Sequence, residues 1–394
     1  MLKGKTVILG VTGSIAAYKI CYLASALKKL HADVHVIMTK NATNFVNPIT
    51  FETLTGNKCL VDTFDRNFEF NVEHVSLAKK ADIFLVAPAS ANVIGKIANG
   101  ICDDMLTTTL FAFNKIKLIS PAMNTNMYNN PILQDNLLKL KKYGYLIIEP
   151  AKGMLACGDE GVGKLPSEET LLDAIIYNLS NHDLEGKKIL ITAGATKEAI
   201  DPVRYITNHS SGKMGFSIAN KAYLRGAEVK VITSTDNLKL YDGIKKINIS
   251  SAYDMFSEIE KCYKDYDYII MAAAVADYTP KNYADNKIKK SDNDMSIELM
   301  RTDDILSFLG KNKQNNQKII GFSMETENLL ENSKKKLEKK NADMICANSI
   351  NGDKTGFKVD TNQITLITKD EMVELPFDTK DNLADMILDK IIKL

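Results

Sequence analysis

The chain has 394 residues, enough for two or three domains that each bury a core. Lys and Arg total 50 against 49 Asp and Glu, a net charge of +1 that lacks the basic excess of a nucleic-acid binder. The six cysteines are scattered with no Cys-x-x-Cys, so neither a disulfide framework nor a zinc site is indicated. No long apolar span or secretory leader stands out, so a cytoplasmic protein with no membrane partner is expected.

In chain order, Thr6–Leu9 reads as a buried strand, and Ser14–Leu30 has helical apolar spacing. The glycine turn between them, Gly10-Val-Thr-Gly13-Ser14, opens a helix N-terminus whose amides suit a phosphate. Its spacing is not Gly-x-Gly-x-x-Gly, and the next strand, Asp33–Ile37, ends in Met38-Thr39-Lys40 with no acid for a ribose. A mononucleotide with one phosphate and an apolar ring therefore fits better than NAD. Asp82–Ala87 is a third strand, closed by Pro88-Ala-Ser90-Ala-Asn92. Asp103-Asp104 precede a helix containing Thr107, and Ile116–Ile119 is a fourth strand followed by Pro121-Ala-Met-Asn124-Thr-Asn-Met127-Tyr128. The stretch from Ala151 to Lys164 carries four glycines and Cys157, the composition of a mobile flap. Taken singly, His74 reads as a partly buried histidine, Asn124 as a helix cap and Cys157 as a small hydrophobe.

A polar linker, 181–186, separates domains expected at 1–180 and 187–394. Lys188–Thr192 restarts a sheet, and a long loop from Asp201 leads to a helix beginning near Ser211. Glu228–Ile232 and Asp267–Met271 are further strands, again with no terminal acid for NAD. The polar tract from Pro280 to Met295, with Lys287-Ile-Lys289-Lys290 inside it, reads equally as a lid or a solvated loop. Lys336 and Lys340 are four apart and share one side of a helix.

As a set, the first-half motifs resemble the flavin-dependent cysteine decarboxylases, and phosphopantothenoylcysteine decarboxylase in particular. They are Gly13-Ser-Ile-Ala-Ala-Tyr-Lys19, His74, Pro88-Ala-Ser-Ala-Asn92, Pro121-Ala-Met-Asn-x-x-Met-Tyr128 and Ala156-Cys-Gly-Asp159. The resemblance implies a flavodoxin-like domain binding FMN through Gly13, Ser14, Thr39, Ser90 and Thr107, with Met127 at the substrate. It implies that His74 acts as acid/base or carboxylate holder, that Asn124 clamps the substrate and that Cys157 is the final proton donor. Tyr128 stands where stand-alone members often have Trp, and Lys164-Leu-Pro replaces a commoner Arg-Met.

The second half resembles phosphopantothenate–cysteine ligase. The residues that carry the likeness are Asp201-Pro-Val-Arg-Tyr-Ile-x-Asn-His-Ser-Ser-Gly-Lys-Met-Gly215, Ala272-Ala-Ala-Val-Ala-Asp-Tyr278, Lys287-Ile-Lys-Lys290, Gly321-Phe322 and Ile345-Cys-Ala-Asn348. That likeness implies CTP as co-substrate with Mg²⁺ of unknown ligands, and binding residues Arg204, Ala276, Asp277, Lys289, Asp304, Phe322, Lys336 and Lys340. Asn208 would stabilise an acyl-cytidylate and Lys287, on the lid, would serve the transferring phosphate. Thr302-Asp303 and Ser323-Met324 depart from the usual pattern. The fold expected is α/β, two Rossmann-like parallel-sheet domains joined in the order of the bacterial bifunctional enzyme. Its partners would be 4′-phosphopantothenate, cysteine and CTP, within a homo-oligomer of decarboxylase trimers joined by ligase dimers into a dodecamer. The competing readings are a regulatory subunit that binds FMN and nucleotide without chemistry, and a flavin decarboxylase of another substrate.

Overall fold

The computed structural model describes residues 2–64, 73–154, 158, 160–290, 295–324, 328–348 and 359–394. It divides into two compact units, Met1–Ser180 and Asn181–Leu394.

In the first unit a five-stranded sheet runs, edge to edge, Asp33–Met38, Thr6–Val11, Ile83–Ala89, Ile116–Pro121, Leu146–Ile147, with every pairing parallel. Strand order in the chain is thus 2-1-3-4-5, a flavodoxin-like winding that reverses between the first and third strands. Thr6–Val11 and Ile83–Ala89 are buried at every position, because helices cover both faces of a parallel sheet and select continuous apolar runs. The stretch from Ser14 opens as a short 3₁₀ turn, Ile15–Tyr18, and continues as the helix Lys19–Lys29. The glycine-rich segment expected as a mobile flap contains an antiparallel pair, Ala151–Met154 with Glu160–Lys164.

In the second unit an eight-stranded sheet runs Lys245–Asn248, Glu228–Thr233, Lys188–Ala193, Tyr268–Met271, Lys318–Met324, Met344–Asn348, Ile364–Ile367, Met372–Glu374. The first six are parallel, in Rossmann order 3-2-1-4-5-6, and the last two add antiparallel. Alternate residues of the later strands serve different cores. Met344, Cys346, Ile364 and Leu366 pack with the helices Lys213–Leu224 and Lys380–Ile391. Ile345, Ala347 and Ile367 pack with Leu337 of the helix Leu329–Lys339. Side chains two apart share a sheet face, so these helices lie on opposite faces. No described helix is long and apolar enough to cross a membrane.

Candidate active sites

Ligands of open α/β sheets sit beyond the carboxyl ends of strands where the winding reverses. In the first unit that point lies between Val11 and Ala89, and a buried hydroxyl ties its two loops together. Thr12 donates to the Pro88 carbonyl (2.6 Å) and accepts from the Ser90 amide (2.9 Å). No local pattern marks Thr12, whose partners are 76 and 78 residues away. Ser14 and Ser90 each cap the helical turn that follows, accepting from Ala16 and Val93 amides. Gly13 is required by close approach, since a Cβ there would stand 2.7 Å from the Asn41 Cβ. Thr39 is buried and its hydroxyl accepts from the Ala42 amide. Thr107 is buried and completes a capping box with Asp104, its hydroxyl 2.8 Å from the carboxylate, so its first role is to fix the helix Met105–Ala112. The donors Ser14 and Ser90, with the first amides of their helical turns, are neutral and suit a phosphate monoester. Exposed Ile15 and Phe45 lie on the two loops that Gly13 and Asn41 bring together, offering apolar surface for a ring.

Asn124 caps the turn Thr125–Tyr128, accepting from the Asn126 amide at 2.8 Å. Met127, within that turn, is half exposed. Tyr128 donates to Glu149 (2.8 Å), which also receives Lys141 (2.8 Å). Burial, then the bond to this carboxylate, pushes the Tyr128 phenol up to about 12. The glycine hairpin docks on this turn. The Met123 amide donates to the Gly163 carbonyl at 2.9 Å. A Cβ on Gly163 would fall 2.2 Å from the Met123 oxygen, and one on Gly161 would fall 2.3 Å from the Thr125 hydroxyl. Gly163 therefore allows backbone-to-backbone contact between hairpin and turn, and Gly161 makes room for the Thr125 side chain. His74 is half-buried in the helix Glu73–Lys80, and Cys157 lies outside the described residues.

The second unit holds a cavity of about 940 Å³ at its own reversal, between Lys188–Ala193 and Tyr268–Met271. Asn208, Ala276, Asp277, Asp304, Phe322, Lys336 and Lys340 all line it, although they come from five separate segments. Asn208 Nδ2 donates to the Ala274 carbonyl at 3.3 Å. Thr196, which the sequence did not single out, accepts from the Ala276 amide at 3.0 Å. Thr302 donates to the Ala276 carbonyl (2.6 Å) and, through its amide, to that of Asp277 (3.0 Å). The departure from the usual Asn at 302 thus keeps a side chain that stitches two walls of the cavity. The Ser323 hydroxyl, at the other departure, is buried with no hydrogen-bond partner among the described residues. Lys336 donates to the Phe322 carbonyl at 2.9 Å, and Lys340 pairs with Asp304. Against the opposing effect of partial burial, the Lys340 ammonium and the Ser307 amide hold the Asp304 carboxyl below its usual range.

Arg204, Lys287 and Lys289 do not line that cavity. Arg204 instead grips the buried Asp201 through Nε (3.0 Å) and Nη2 (2.5 Å). Both residues hold the backbone of one residue of the polar tract, for the Ile288 amide donates to Asp201 (3.2 Å) and its carbonyl accepts from Arg204 (3.0 Å). Since Ile288 lies between Lys287 and Lys289, the ion pair fixes the backbone that carries both lysines. No group of three or more metal-ligating side chains is present among the described residues.

Each unit matches a known family. The flavoprotein family matches residues 1–180, and the family of DNA/pantothenate metabolism flavoprotein C-terminal domains matches residues 184–394. The "Coenzyme A biosynthesis bifunctional protein CoaBC" of Borreliella burgdorferi is 44% identical over 98% of this chain and 99% of its own length. That of Bacillus subtilis is 44% identical over 100% and 98%. A crystal structure of the C-terminal domain of a protein of that name is 42% identical over 54% of this chain and 96% of its own, with a TM-score of 0.46. Likeness along the whole length, in both units, makes this chain a member of the bifunctional coenzyme A biosynthesis family, in which a flavoprotein decarboxylase and a phosphopantothenate–cysteine ligase share one polypeptide.

Proposed function

We propose that residues 187–394 use CTP to join cysteine to 4′-phosphopantothenate, and that residues 1–180 then decarboxylate the product with FMN. The observation that carries this reading is the cavity of the second unit, which gathers Asn208, Asp277, Phe322, Lys336 and Lys340 at the reversal of its sheet. Amide formation from a free carboxylate needs its oxygen made into a leaving group. A carboxylate oxygen attacks the α-phosphorus of CTP, the bond to pyrophosphate breaks, and an acyl-cytidylate forms. The cysteine amine then attacks the acyl carbon and releases CMP. Two anions must meet in the first step, and Lys336 and Lys340 offset their repulsion. Lys287 serves the transferring phosphate, Lys289 follows on the same anchored peptide, and Arg204 acts through Asp201 and Ile288. Asn208 holds the acyl-cytidylate beside Ala276, while Asp277 and Phe322 contact the nucleotide. Mg²⁺ is proposed to arrive on the triphosphate.

In the first unit the neutral hydroxyls of Ser14 and Ser90 suit the FMN phosphate, with Gly13, Thr39 and Thr107 shaping the loops around it. FMN held there would supply a reversible two-electron oxidation of the carbon bearing the thiol, so that the electrons left by carbon dioxide delocalise into the resulting thioaldehyde and no net redox change occurs. His74 holds the substrate carboxylate or moves a proton, Asn124 orients carboxylate and amide, and Cys157 donates the last proton. The exposed Ile15, Tyr18, Tyr22 and Ile49 support a trimeric first unit within a dodecamer. A cytoplasmic location accords with this metabolic role.

Incubation of the purified chain with 4′-phosphopantothenate, cysteine and CTP, with mass analysis of products, tests both halves. The expected products are pyrophosphate, CMP, carbon dioxide and 4′-phosphopantetheine. Absence of steady-state pyrophosphate and CMP release when cysteine is added would overturn the ligation. Accumulated 4′-phosphopantothenoylcysteine with flavin-loaded protein would overturn the decarboxylation.

A further inference from the structure

The hydroxyl of Thr12 has no part in the chemistry proposed above, yet it sits at a break in the first unit's sheet. The parallel ladder between Thr6–Val11 and Ile83–Ala89 ends at Gly10 and Val86. Pro88, two residues further on, has no amide proton and cannot extend it. On the other side of that strand, the Ala89 carbonyl is taken by the Ala122 amide at 3.1 Å. The Pro88 carbonyl and the Ser90 amide still need partners. Thr12 is fully buried and satisfies both with one oxygen, donating to Pro88 at 2.6 Å and accepting from Ser90 at 2.9 Å. A hydroxyl can fill both roles, and a valine of the same shape can fill neither.

This bracket lies between two serines. Ser14 follows Thr12 by two residues, and Ser90 is itself one of the groups that Thr12 holds. Each serine oxygen accepts from its own helical turn, Ser14 from the Ala16 amide and Ser90 from the Val93 amide. Each can therefore still give its hydroxyl proton to a ligand. Gly13, between Thr12 and Ser14, is pressed so closely on Asn41 that a Cβ would not fit, which fixes the same loop from its opposite side.

Donors already held at one spacing cost a ligand little ordering, whereas donors on two independent loops must be brought together at each binding event. Without the Thr12 hydroxyl each serine keeps its cap, but nothing in that bracket sets one serine against the other. We propose that Thr12 is a positioning residue for the phosphate of FMN, holding the Ser14 and Ser90 hydroxyls at the spacing that one phosphate monoester spans. This rests on placing that phosphate at Ser14 and Ser90.

The test strips flavin from the full chain carrying Thr12→Val and titrates it with FMN or with riboflavin, which has the same ring and no phosphate. Quenching of flavin fluorescence reads each Kd. The Kd for FMN rises about tenfold or more over wild type, as loss of two hydrogen bonds behind the site predicts. The Kd for riboflavin stays within about twofold. Thr12→Ser, which keeps the hydroxyl, binds FMN within about threefold of wild type. An unchanged FMN Kd in Thr12→Val overturns the assignment. Equal losses of FMN and riboflavin, or a Thr12→Ser protein as weak as Thr12→Val, overturn it too and leave Thr12 a role in folding alone. Should Thr12→Val fail to fold, Thr12→Cys, close in size but with only a weak S–H donor, decides by the same pair of Kd values. Wild-type protein that holds FMN no better than riboflavin would instead overturn the phosphate placement at the serines, a separate result.

Discussion

Replacing Gly163 by alanine tests whether the docked glycine hairpin matters for decarboxylation alone. Gly163 has φ +140°, which side chains rarely adopt, and its new Cβ would lie 2.2 Å from the Met123 oxygen, inside the 3.0 Å that real Cβ atoms respect. The backbone conformation costs roughly 1–3 kcal/mol for a residue other than glycine. Separation of the strand from the turn also loses the Met123–Gly163 hydrogen bond, about 1 kcal/mol. The sum, about 2–4 kcal/mol, lowers the docked population by roughly 30-fold to several hundredfold. Carbon dioxide release from preformed 4′-phosphopantothenoylcysteine should therefore fall at least about 30-fold in kcat/KM. Pyrophosphate release in the same preparation should be unchanged, because the ligation cavity belongs to the other unit. Near-normal decarboxylation by a folded, flavin-loaded Gly163→Ala protein would refute the coupling of hairpin docking to chemistry.

Further outcomes test the proposed roles. Cys157→Ser should decarboxylate yet accumulate the oxidised ene-thiol, seen by mass, and normal formation of saturated product would remove Cys157 from proton delivery. His74→Asn should keep bound flavin, seen by absorbance, and lose decarboxylation; colourless protein would assign His74 to structure instead. Lys287→Gln should block acyl-cytidylate formation while Asn208→Asp forms it and passes it on poorly, distinguished by quenched-flow product analysis. Asp201→Asn should weaken the hold on Ile288 and reduce hydrogen-exchange protection of its amide. Arg204, aided by three backbone amides, depresses the Asp201 carboxyl below its ordinary 3.8. A depressed acid stabilises the fold above its unfolded pKa and ceases to do so as pH falls through the folded value. The wild-type protection factor at Ile288 should accordingly hold from neutrality to about pH 4 and decline only below it.

Local pattern disclosed what local physics decides. Strands such as Thr6–Val11 and Lys188–Ala193 read as continuous apolar runs because both sheet faces are covered. Asn124 was visible as a cap, and Ser14 and Ser90 as hydroxyls beside glycine or proline turns, their capping shown only by the fold. Glycines at 153, 158, 161 and 163 argue against strand, yet 151–154 and 160–164 pair, because docking on Met123 and Thr125 overrides propensity. Thr12 and Thr196 were invisible for a different reason: each acts on a peptide about 80 residues away. Arg204 reads as a substrate residue in sequence, and only the fold reveals the carboxylate of Asp201 and the peptide of Ile288 beside it.

The pairing of Lys340 with Asp304 gives the ligase cavity an internal rival for its ligand. On the proposed reading an arriving nucleotide would displace a carboxylate already seated on the cation, so occupancy would be an exchange of anions, not the filling of bare positive charge. A triphosphate, with several charges and a second lysine to engage, would win that exchange more readily than a spent monophosphate. The tethered acid would then reclaim its lysine as the product leaves.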